Sequence, residues 1–494
     1  MLFYRTDSGR FLLVEIISAT RDFTLTLTSN DYSFYMKVLM FGWEFPPHIS
    51  GGLGTACYGL THSLHQQGVH VLFVIPRLFG GETQEKVSLI NASSVFMPQN
   101  KITKKYFATK YSTESVTTND KRSTTAIGFT TIPIASALSP YRSAHFKQQS
   151  ASLSSWDYTF PGSRDIAHDE RTERKEDEEQ NTTFTFSGTY GPNLLEEVDR
   201  YADVAAHVAS SNSFEVIHAH DWPTFPAGIA AKKISGKPLV IHIHATEFDR
   251  AGEQVDPSVF AIEYEGLKQA DRIIAVSKWT RDILISRYRV QEEKVEVVHN
   301  GIIPEMKTLL AKRSPLGSHI ITFMGRITYQ KGPRYFVEAA KKVLQEFPDA
   351  HFVVAGSGDL LPQIIERVAQ LKMSSRFHFT GFLKKDDIQK IWALTDVYVM
   401  PSVSEPFGIT PLEAIQGGVP VIVSKQSGVA EVMPHAIKVD FWNTRALAGS
   451  ICSILRYGSL SRALKKNGHE EVRHMTWDKA AKKINTVYHE LTTS

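Results

Sequence analysis

Cysteine is scarce in this sequence, and several patterns that define large classes of protein are missing. Cys57 and Cys452 are the only cysteines in 494 residues, too few for a disulfide framework, which indicates a reducing, cytoplasmic compartment. No stretch of about 18 apolar residues occurs, so the sequence predicts no helix that spans a membrane. The formal net charge is +3 and no basic stripe alternates with aromatic residues, which argues against nucleic acid as a partner.

Two motifs of nucleotide chemistry are also absent. The chain has no G-x-G-x-x-G, so a nicotinamide site and a dehydrogenase activity are not predicted. It has no D-x-D either, the pair of carboxylates that commonly holds a metal ion against a diphosphate. If this chain binds a diphosphate, fixed cations must therefore neutralise its charge.

Short apolar runs alternate with helical segments along most of the chain. "KVLMFGW", "VHVLFVIP" and "PLVIHIHA" belong to a first series, and "HIITFMGRI", "VYVMPS" and "VPVIVS" belong to a second. Runs without in-and-out alternation are typical of strands that helices cover on both faces. The pattern predicts an α/β fold with two facing, Rossmann-like, doubly wound domains and a cleft at the carboxyl ends of their strands.

The domain boundaries follow from where this alternation starts, breaks and resumes. Residues 1–35 are expected to be an N-terminal extension outside the fold, or the result of a misplaced start. Residues 36–302 are expected to form the first domain. This domain contains a polar insertion at about 85–190, which we expect to be a solvated loop. The alternative is that the insertion forms a flap over the acceptor side of the cleft. Residues 303–475 are the second domain, and residues 476–494 are predicted to form an amphipathic helix.

The segment "SEPFGITPLEAIQGG" (residues 404–418) joins a predicted strand to a predicted helix. Thr410 is predicted as the N-cap, with proline at the first helical position and Glu413 three residues after the cap, as in a capping box. A helix that begins behind Gly408 also presents backbone N–H groups to an anion such as phosphate. Glu405 precedes the helix and can accept hydrogen bonds from sugar hydroxyls. Capping and ligand binding are both open for Glu413.

Two cations and a glycine turn favour ligand binding. In "GRITYQKG", Arg326 lies just past a strand and Lys331 follows five residues later, so together they can hold a diphosphate. In "SGGLGTA" (residues 50–56), the glycines let the backbone approach a phosphate or a sugar closely.

The motif H-x-H occurs twice at predicted strand ends, as His218 with His220 and as His242 with His244. Such pairs can bind zinc, which is the alternative to a sugar site here. No carboxylate pattern beyond Asp221 supports it, and a zinc site would give the motifs of the second half no role. We therefore predict neither a metal site nor a cofactor.

Together these motifs resemble those of the retaining GT-B glycosyltransferases. "EPFGITPLE", "GR" followed by "QKG", the glycine turn, "HAHDW" and "HNG" are similar to families 4 and 5, which contain bacterial and archaeal glycogen synthases and starch synthases. The resemblance runs from about Met36 to the C-terminus, apart from the insertion. It implies metal-independent transfer of a hexosyl unit, by retention, from a nucleotide-sugar donor to a glycan acceptor. It also implies that the final helix crosses back onto the first domain.

The resemblance further implies a set of site residues. The catalytic residues would be His244, Arg326, Lys331 and Glu405, with the two cations on the donor diphosphate and Glu405 near the reacting carbon. His242 lies deeper in its strand and is expected to be structural. The donor-binding residues would be Gly51, Gly52, Gly54, Asp221, Asn300, Gly356, Ser357, Gly358, Phe382, Gly408, Ile409, Thr410 and Glu413, the last one at the ribose hydroxyls.

One position departs from the family 5 pattern. Many members carry a lysine two residues before the glycine pair, where this chain has Ile49. This leaves ADP-glucose and UDP-glucose both open as donors and inclines the chain toward family 4. The alternatives to glucan elongation are a family 4 hexosyltransferase with a non-glucan acceptor, a nucleotide-sugar epimerase of the same fold, and a non-catalytic sugar-binding protein. The oligomeric state does not follow from the sequence.

Overall fold

The computed structural model describes residues 36–47, 51–82, 86–98, 181–303 and 319–493, and the backbone of residues 2–5 and 11–14. Most of the predicted extension, most of the predicted insertion and residues 304–318 of the predicted second domain lie outside these residues.

The strands of the described chain are, in order, β1 (Leu2–Arg5), β2 (Phe11–Val14), β3 (Met36–Phe41), β4 (Val69–Ile75), β5 (Ser88–Asn91), β6 (Met97–Pro98), β7 (Asn181–Thr182), β8 (Val216–His220), β9 (Leu239–Ile243), β10 (Arg272–Ala275), β11 (Val295–Val297), β12 (Ile320–Met324), β13 (His351–Ala355), β14 (Phe377–Gly381), β15 (Val397–Met400), β16 (Val421–Ser424) and β17 (Ile437–Val439).

The α-helices are α1 (Gly52–Gln66), α2 (Leu194–Ser211), α3 (Phe225–Ser235), α4 (Glu247–Ala251), α5 (Pro257–Gln269), α6 (Lys278–Tyr288), α7 (Pro333–Glu346), α8 (Leu361–Gln370), α9 (Lys385–Leu394), α10 (Thr410–Gln416), α11 (Val429–Val432), α12 (Thr444–Arg456), α13 (Gly458–Val472) and α14 (Trp477–Thr493). None of these helices is both long enough and apolar enough to cross a membrane.

Two parallel sheets organise the described chain. The first has the order β11-β10-β9-β8-β3-β4-β5, and the second has the order β14-β13-β12-β15-β16-β17. In each sheet the chain starts in the middle, extends to one edge and returns to build the other half. The order therefore reverses between β3 and β8 and again between β12 and β15, and ligands of such sheets bind at the carboxyl ends of the strands at this reversal. The predicted fold class, two doubly wound domains, is confirmed.

Both faces of each sheet are buried. Along β3, Leu39 and Phe41 face a core that includes α2, α3 and α5, whereas Val38 and Met40 face a second core against α1. The strands of the second sheet likewise divide their side chains between two buried clusters. This explains why the strands read as continuous apolar runs instead of alternating patterns.

The last helix packs on the first sheet's domain. Trp477, Ile484 and Tyr488 of α14 belong to the core that α1 and β3 share. The crossing is tight, since a Cβ at Gly301 would lie 2.3 Å from the backbone nitrogen of Trp477. The Ile302 amide donates to the carbonyl of Met475 at 2.9 Å, so the chain leaves and re-enters the first domain at one point.

The predicted insertion begins too early in the sequence. β5 lies inside the range 85–190, yet it is the edge strand of the first sheet and pairs in parallel with β4. Its residues "SLIN" are all only half-buried, because an edge strand is less covered than a central one. The apolar-run criterion that identified the central strands therefore missed it.

Candidate active site

The loops at the two reversal points carry most of the predicted catalytic residues. Arg326 and Lys331 follow β12, and Glu405 follows its neighbour β15. Asp221 follows β8, which neighbours β3 in the other sheet, and His244 follows β9. Residues that are far apart in the sequence therefore lie on facing loops.

Lys331 and Glu405 contact each other directly. The Lys331 Nζ donates to Oε2 of Glu405 at 2.6 Å, and Ser402 Oγ donates to the same oxygen at 3.0 Å. The side chain of Glu405 is only 6% exposed, whereas that of Lys331 is 21% exposed. The turn that carries Lys331 packs closely on the end of β15, since a Cβ at Gly332 would lie 2.1 Å from the carbonyl oxygen of Pro401. A buried carboxylate beside an ammonium is well suited to orient polar groups of a ligand.

The turn before α10 differs in one respect from the prediction. Gly408 has φ +95°, and a Cβ there would lie 3.1 Å from Cγ of Glu405, so the turn requires glycine. The N-cap of α10 is Ile409, which is already in the right-handed helical region, and Thr410 is the first helical residue. The predicted capping box with Thr410 as N-cap is therefore wrong, and the Thr410 hydroxyl instead hydrogen bonds to Tyr398. Glu413 lies in the first turn of this helix.

Glu44 is a buried carboxylate at this site that the sequence analysis missed. It follows β3 at the reversal point, accepts a hydrogen bond from the Tyr190 hydroxyl and accepts a 3.4 Å bond from the Gly51 amide. Burial raises its pKa, and its hydrogen bonds and the positive charge of Arg326 oppose that shift. Glu44 in the first domain and Arg326 in the second therefore interact electrostatically across the cleft. Glu44 could have been identified from its position, since it is a carboxylate shortly after a strand that the sequence predicts to be buried.

The predicted glycine turn is the start of a helix. Gly51 is the N-cap of α1 and Gly52 is its first residue, and both are exposed, whereas Gly54 is buried. A Cβ at Gly52 would meet nothing within 4 Å. The beginning of a 15-residue helix is thus open at the reversal point of the first sheet.

Asp221 fixes the loop that carries His244. Its Oδ1 accepts from the amides of His244 at 2.6 Å and Ala245 at 3.3 Å, and its own φ is +58°. Burial raises the pKa of Asp221 to about 7, against the opposing effects of Arg250 and these two amides. Burial lowers the pKa of His244 to about 3, so its imidazole is neutral at physiological pH.

The four histidines of the two H-x-H motifs form a compact array on β8 and β9. His218 Nε2 lies 3.2 Å from His242 Nδ1, and His220 Nδ1 lies 3.0 Å from His244 Nε2. Nitrogen atoms of His218, His220 and His242 all come within 4.8 Å of one another, close enough to consider a metal ion. The rings are stacked within each strand, with 10° between the planes of His218 and His220. The two contacts between the strands have the lengths of hydrogen bonds, whereas Nε2 of His220 and Nε2 of His242 are buried without a hydrogen-bond partner in the described chain.

The remaining predicted donor-binding residues lie in two places. Asn300 is buried beside the crossing of α14. Gly356 and Gly358 let the loops after β12, β13 and β14 pack together, since a Cβ at Gly356 would lie 1.9 Å from the carbonyl oxygen of Gly325. Ser357 is exposed, and Phe382 is 66% exposed. These last two side chains lie at the rim of the second domain.

A cavity of about 320 Å³ lies between the domains, beside the loop that follows β15. Its lining residues are Lys278, Trp279, Asp282, Lys425, Ser427, Ala430, Glu431 and Lys438. None of these belongs to the predicted donor site.

Comparisons with known proteins agree with the two-domain architecture. A family model for glycosyl transferases group 1 matches residues 309–471, one for glycosyltransferase family 4 matches residues 166–306, and one for the starch synthase catalytic domain matches residues 37–135. An uncharacterised glycosyltransferase of Methanocaldococcus jannaschii is 33% identical over 296 residues, which is 56% of this chain and 75% of that protein.

A glycogen synthase of Mycobacterium tuberculosis is 27% identical over 223 residues, 44% of this chain and 54% of its own length. Among solved structures, the catalytic domain of starch synthase IV from Arabidopsis thaliana, bound to ADP and acarbose, superposes with a TM-score of 0.60 at 14% identity. That match covers 93% of this chain and 100% of the other, and it concerns the fold alone.

Proposed function

This chain belongs to the GT-B glycosyltransferases, and we propose that it transfers a hexosyl unit, most simply glucose, from a nucleotide-sugar to a glycan acceptor in the manner of a glycogen synthase. The observation that carries the proposal is the contact between Lys331 and Glu405 at the reversal point of the second sheet. A fixed cation and a buried carboxylate side by side match the two halves of a nucleotide-sugar at its scissile bond, the diphosphate and the sugar hydroxyls.

The cations of the β12 loop supply the charge that a departing diphosphate needs. Lys331 uses one N–H on Glu405, and an ammonium has two more with which to reach phosphate oxygens. Arg326 adds a guanidinium from the same loop, and preorganised positive charge of this kind stabilises a leaving anion. Because the chain has no D-x-D motif, this step is proposed to proceed without a metal ion.

In the proposed mechanism, Glu405 and His244 hold the donor sugar. Both bonds that Glu405 accepts from Lys331 and Ser402 use Oε2, which leaves Oε1 to accept from a sugar hydroxyl. The neutral His244 ring can also bond to a hydroxyl, without adding charge near the reacting carbon.

The proposed transfer retains the configuration of the anomeric carbon, as the resemblance to retaining GT-B enzymes implies. The acceptor oxygen bonds to the anomeric carbon on the face from which the carbon–oxygen bond to the diphosphate breaks. The acceptor proton passes to the departing phosphate. No side chain is assigned the role of a covalent nucleophile.

A donor-by-acceptor screen tests the proposal. UDP-glucose, ADP-glucose and GDP-mannose are each paired with glycogen, maltooligosaccharides and small sugars, and released nucleoside diphosphate is measured with and without EDTA. The expected result is acceptor-dependent release with a glucan that EDTA does not abolish, and a product whose anomeric configuration by NMR matches the donor. Release in no combination would contradict the proposal.

A non-glucan acceptor is the second candidate. It is favoured by Ile49, which replaces a lysine common in family 5, and by the family 4 match over residues 166–306. Release with a small sugar but not with glycogen or maltooligosaccharides would support it. Donor alone giving free diphosphate and an epimerised sugar would indicate an epimerase instead.

A further inference from the structure

The loop that carries Glu405 is held by the opposite domain on both sides of that residue. We define the Glu405 loop as residues 402–407, between β15 and α10 of the second domain. On one side, Ser404 Oγ accepts from Trp279 Nε1 at 3.0 Å and donates to Oδ1 of Asp249. On the other side, the carbonyl of Pro406 accepts from Ser277 Oγ at 2.5 Å. Every partner in these bonds belongs to the first domain.

Two of these first-domain side chains, those of Asp249 and Ser277, are buried and form hydrogen bonds within their own domain. Asp249 is 1% exposed and closes a capping box with Thr246 at the start of α4. Ser277 is fully buried and caps α6, where its Oγ accepts from the Thr280 amide at 3.0 Å. Each is therefore held by hydrogen bonds within the first domain in addition to its bond to the Glu405 loop.

The contact is also tight in shape. A Cβ at Gly428 would lie 2.2 Å from the carbonyl oxygen of Pro406 and 2.4 Å from Cβ of Ser277. Ser277 of the first domain and Pro406 of the second therefore both pack against Gly428, where a larger side chain would not fit. Such a fit forms only at one relative position of the two domains.

The second domain holds the backbone of Glu405 by itself. The Glu405 amide donates to the carbonyl of Gln426 at 2.9 Å, and its carbonyl accepts from the Gly428 amide at 2.9 Å. The bonds to Ser404 and Pro406 are additional and cross the cleft. These bonds therefore exist only when the two domains are closed around Glu405, the residue that is proposed to contact the sugar.

We infer that Asp249, Ser277 and Trp279 are positioning residues that lock the Glu405 loop against the first domain, so that transfer proceeds only in the closed form. The inference rests on the proposed function, in which Glu405 contacts the donor sugar. Nucleotide binding depends on the second domain and does not require the lock, whereas turnover does.

The test compares Ser404→Ala, which removes both Ser404 bonds, with Ser404→Thr, which keeps the hydroxyl. Ser453→Ala is the matched control, because Ser453 is a second-domain serine whose Oγ bonds only within α12, to the carbonyl of Gly449. We expect Ser404→Ala to lower kcat at least about tenfold, since each lost hydrogen bond shifts closing severalfold. The Kd for the nucleoside diphosphate should change by less than about twofold, and Ser404→Thr should recover most of the turnover.

Small-angle scattering separates this inference from the proposed function. Saturated with nucleoside diphosphate, the wild type and Ser453→Ala should be compact, whereas Ser404→Ala should have a larger radius of gyration. If the wild type transfers no sugar, the proposed function fails, and the scattering comparison still decides whether the contacts lock the domains. Equal radii, or equal kcat for wild type and Ser404→Ala, would overturn the inference. So would a Ser404→Thr variant as slow as Ser404→Ala.

Discussion

Lys331 and Glu405 lie 74 positions apart in the chain and form a 2.6 Å ion pair at the carboxyl ends of neighbouring strands. The pair joins the group proposed to hold the diphosphate to the group proposed to hold the sugar. Each side chain therefore depends on the other for its position.

Replacing Lys331 by alanine should lower kcat for transfer by about 10²–10³-fold, since a preorganised donor is lost where charge develops. It also leaves the buried Glu405 without its counter-charge, so the sugar-binding group loses its support as well. Steady-state kinetics with the best donor and acceptor measure the effect. Lys390→Ala, at an exposed lysine of α9, is the control and should be as active as the wild type. Full transfer activity in Lys331→Ala would refute the assignment.

Asp221 should make the protein less stable as pH rises. Its pKa is about 7 in the folded chain against an ordinary value of 3.8. Between these values the folded protein holds a proton that the unfolded chain has lost, so the free energy of unfolding falls with increasing pH. The Asp221→Asn variant can still accept from both amides but does not titrate. Urea unfolding at about pH 5 and pH 7.5 should show a loss of about 2 kcal/mol in the wild type that the variant lacks. Equal pH dependence in the two proteins would count against this.

Tyr488 should anchor α14 to the first domain. Its hydroxyl bonds to Nδ1 of His218, and both residues are fully buried. Tyr488→Phe leaves that nitrogen without a partner, at a cost of about 1–3 kcal/mol in the free energy of unfolding. Tyr457→Phe, at a tyrosine that is 55% exposed, should be neutral in the same denaturant titration. Similar unfolding midpoints for both variants would mean that the buried bond contributes little.

Gly408→Ala should damage the site while leaving the fold intact. The added Cβ lies in a backbone region that is strained for alanine and meets Glu405 at 3.1 Å, so turnover should fall about tenfold or more. Gly449→Ala is the matched substitution, because that glycine lies in α12 and a Cβ added there would meet nothing within 4 Å. It should stabilise the protein by about 0.5–1 kcal/mol and keep full activity. Kinetics and thermal unfolding of both variants give the comparison.

The fold could be predicted because a strand that helices cover on both faces is apolar throughout. β3 and β12 meet that condition, and the strand order places their carboxyl ends at the reversal points. Arg326, Lys331 and Glu405 were identified as charged residues in the segments that follow predicted strands. β5 did not meet the condition, since an edge strand has little to bury.

Other features had no local signal. The bond between Tyr190 and Glu44 joins residues 146 positions apart, and nothing in either segment indicates the partner. The Thr410 cap was predicted from a pattern that ignores the backbone before it, and Ile409 already adopts helical angles. The bonds from Asp249 and Ser277 to the Glu405 loop depend on how the two domains meet, which periodicity within one domain does not encode.

The central claim is that the second domain's fixed cations hold the diphosphate of a nucleotide-sugar. A crystal structure with UDP-glucose or ADP-glucose, grown in EDTA, tests it most directly. We expect the diphosphate to lie against Arg326, Lys331 and the turn at Gly408, with the sugar beside Glu405. A diphosphate bound at another place, or no binding until a divalent cation is supplied, would contradict the claim.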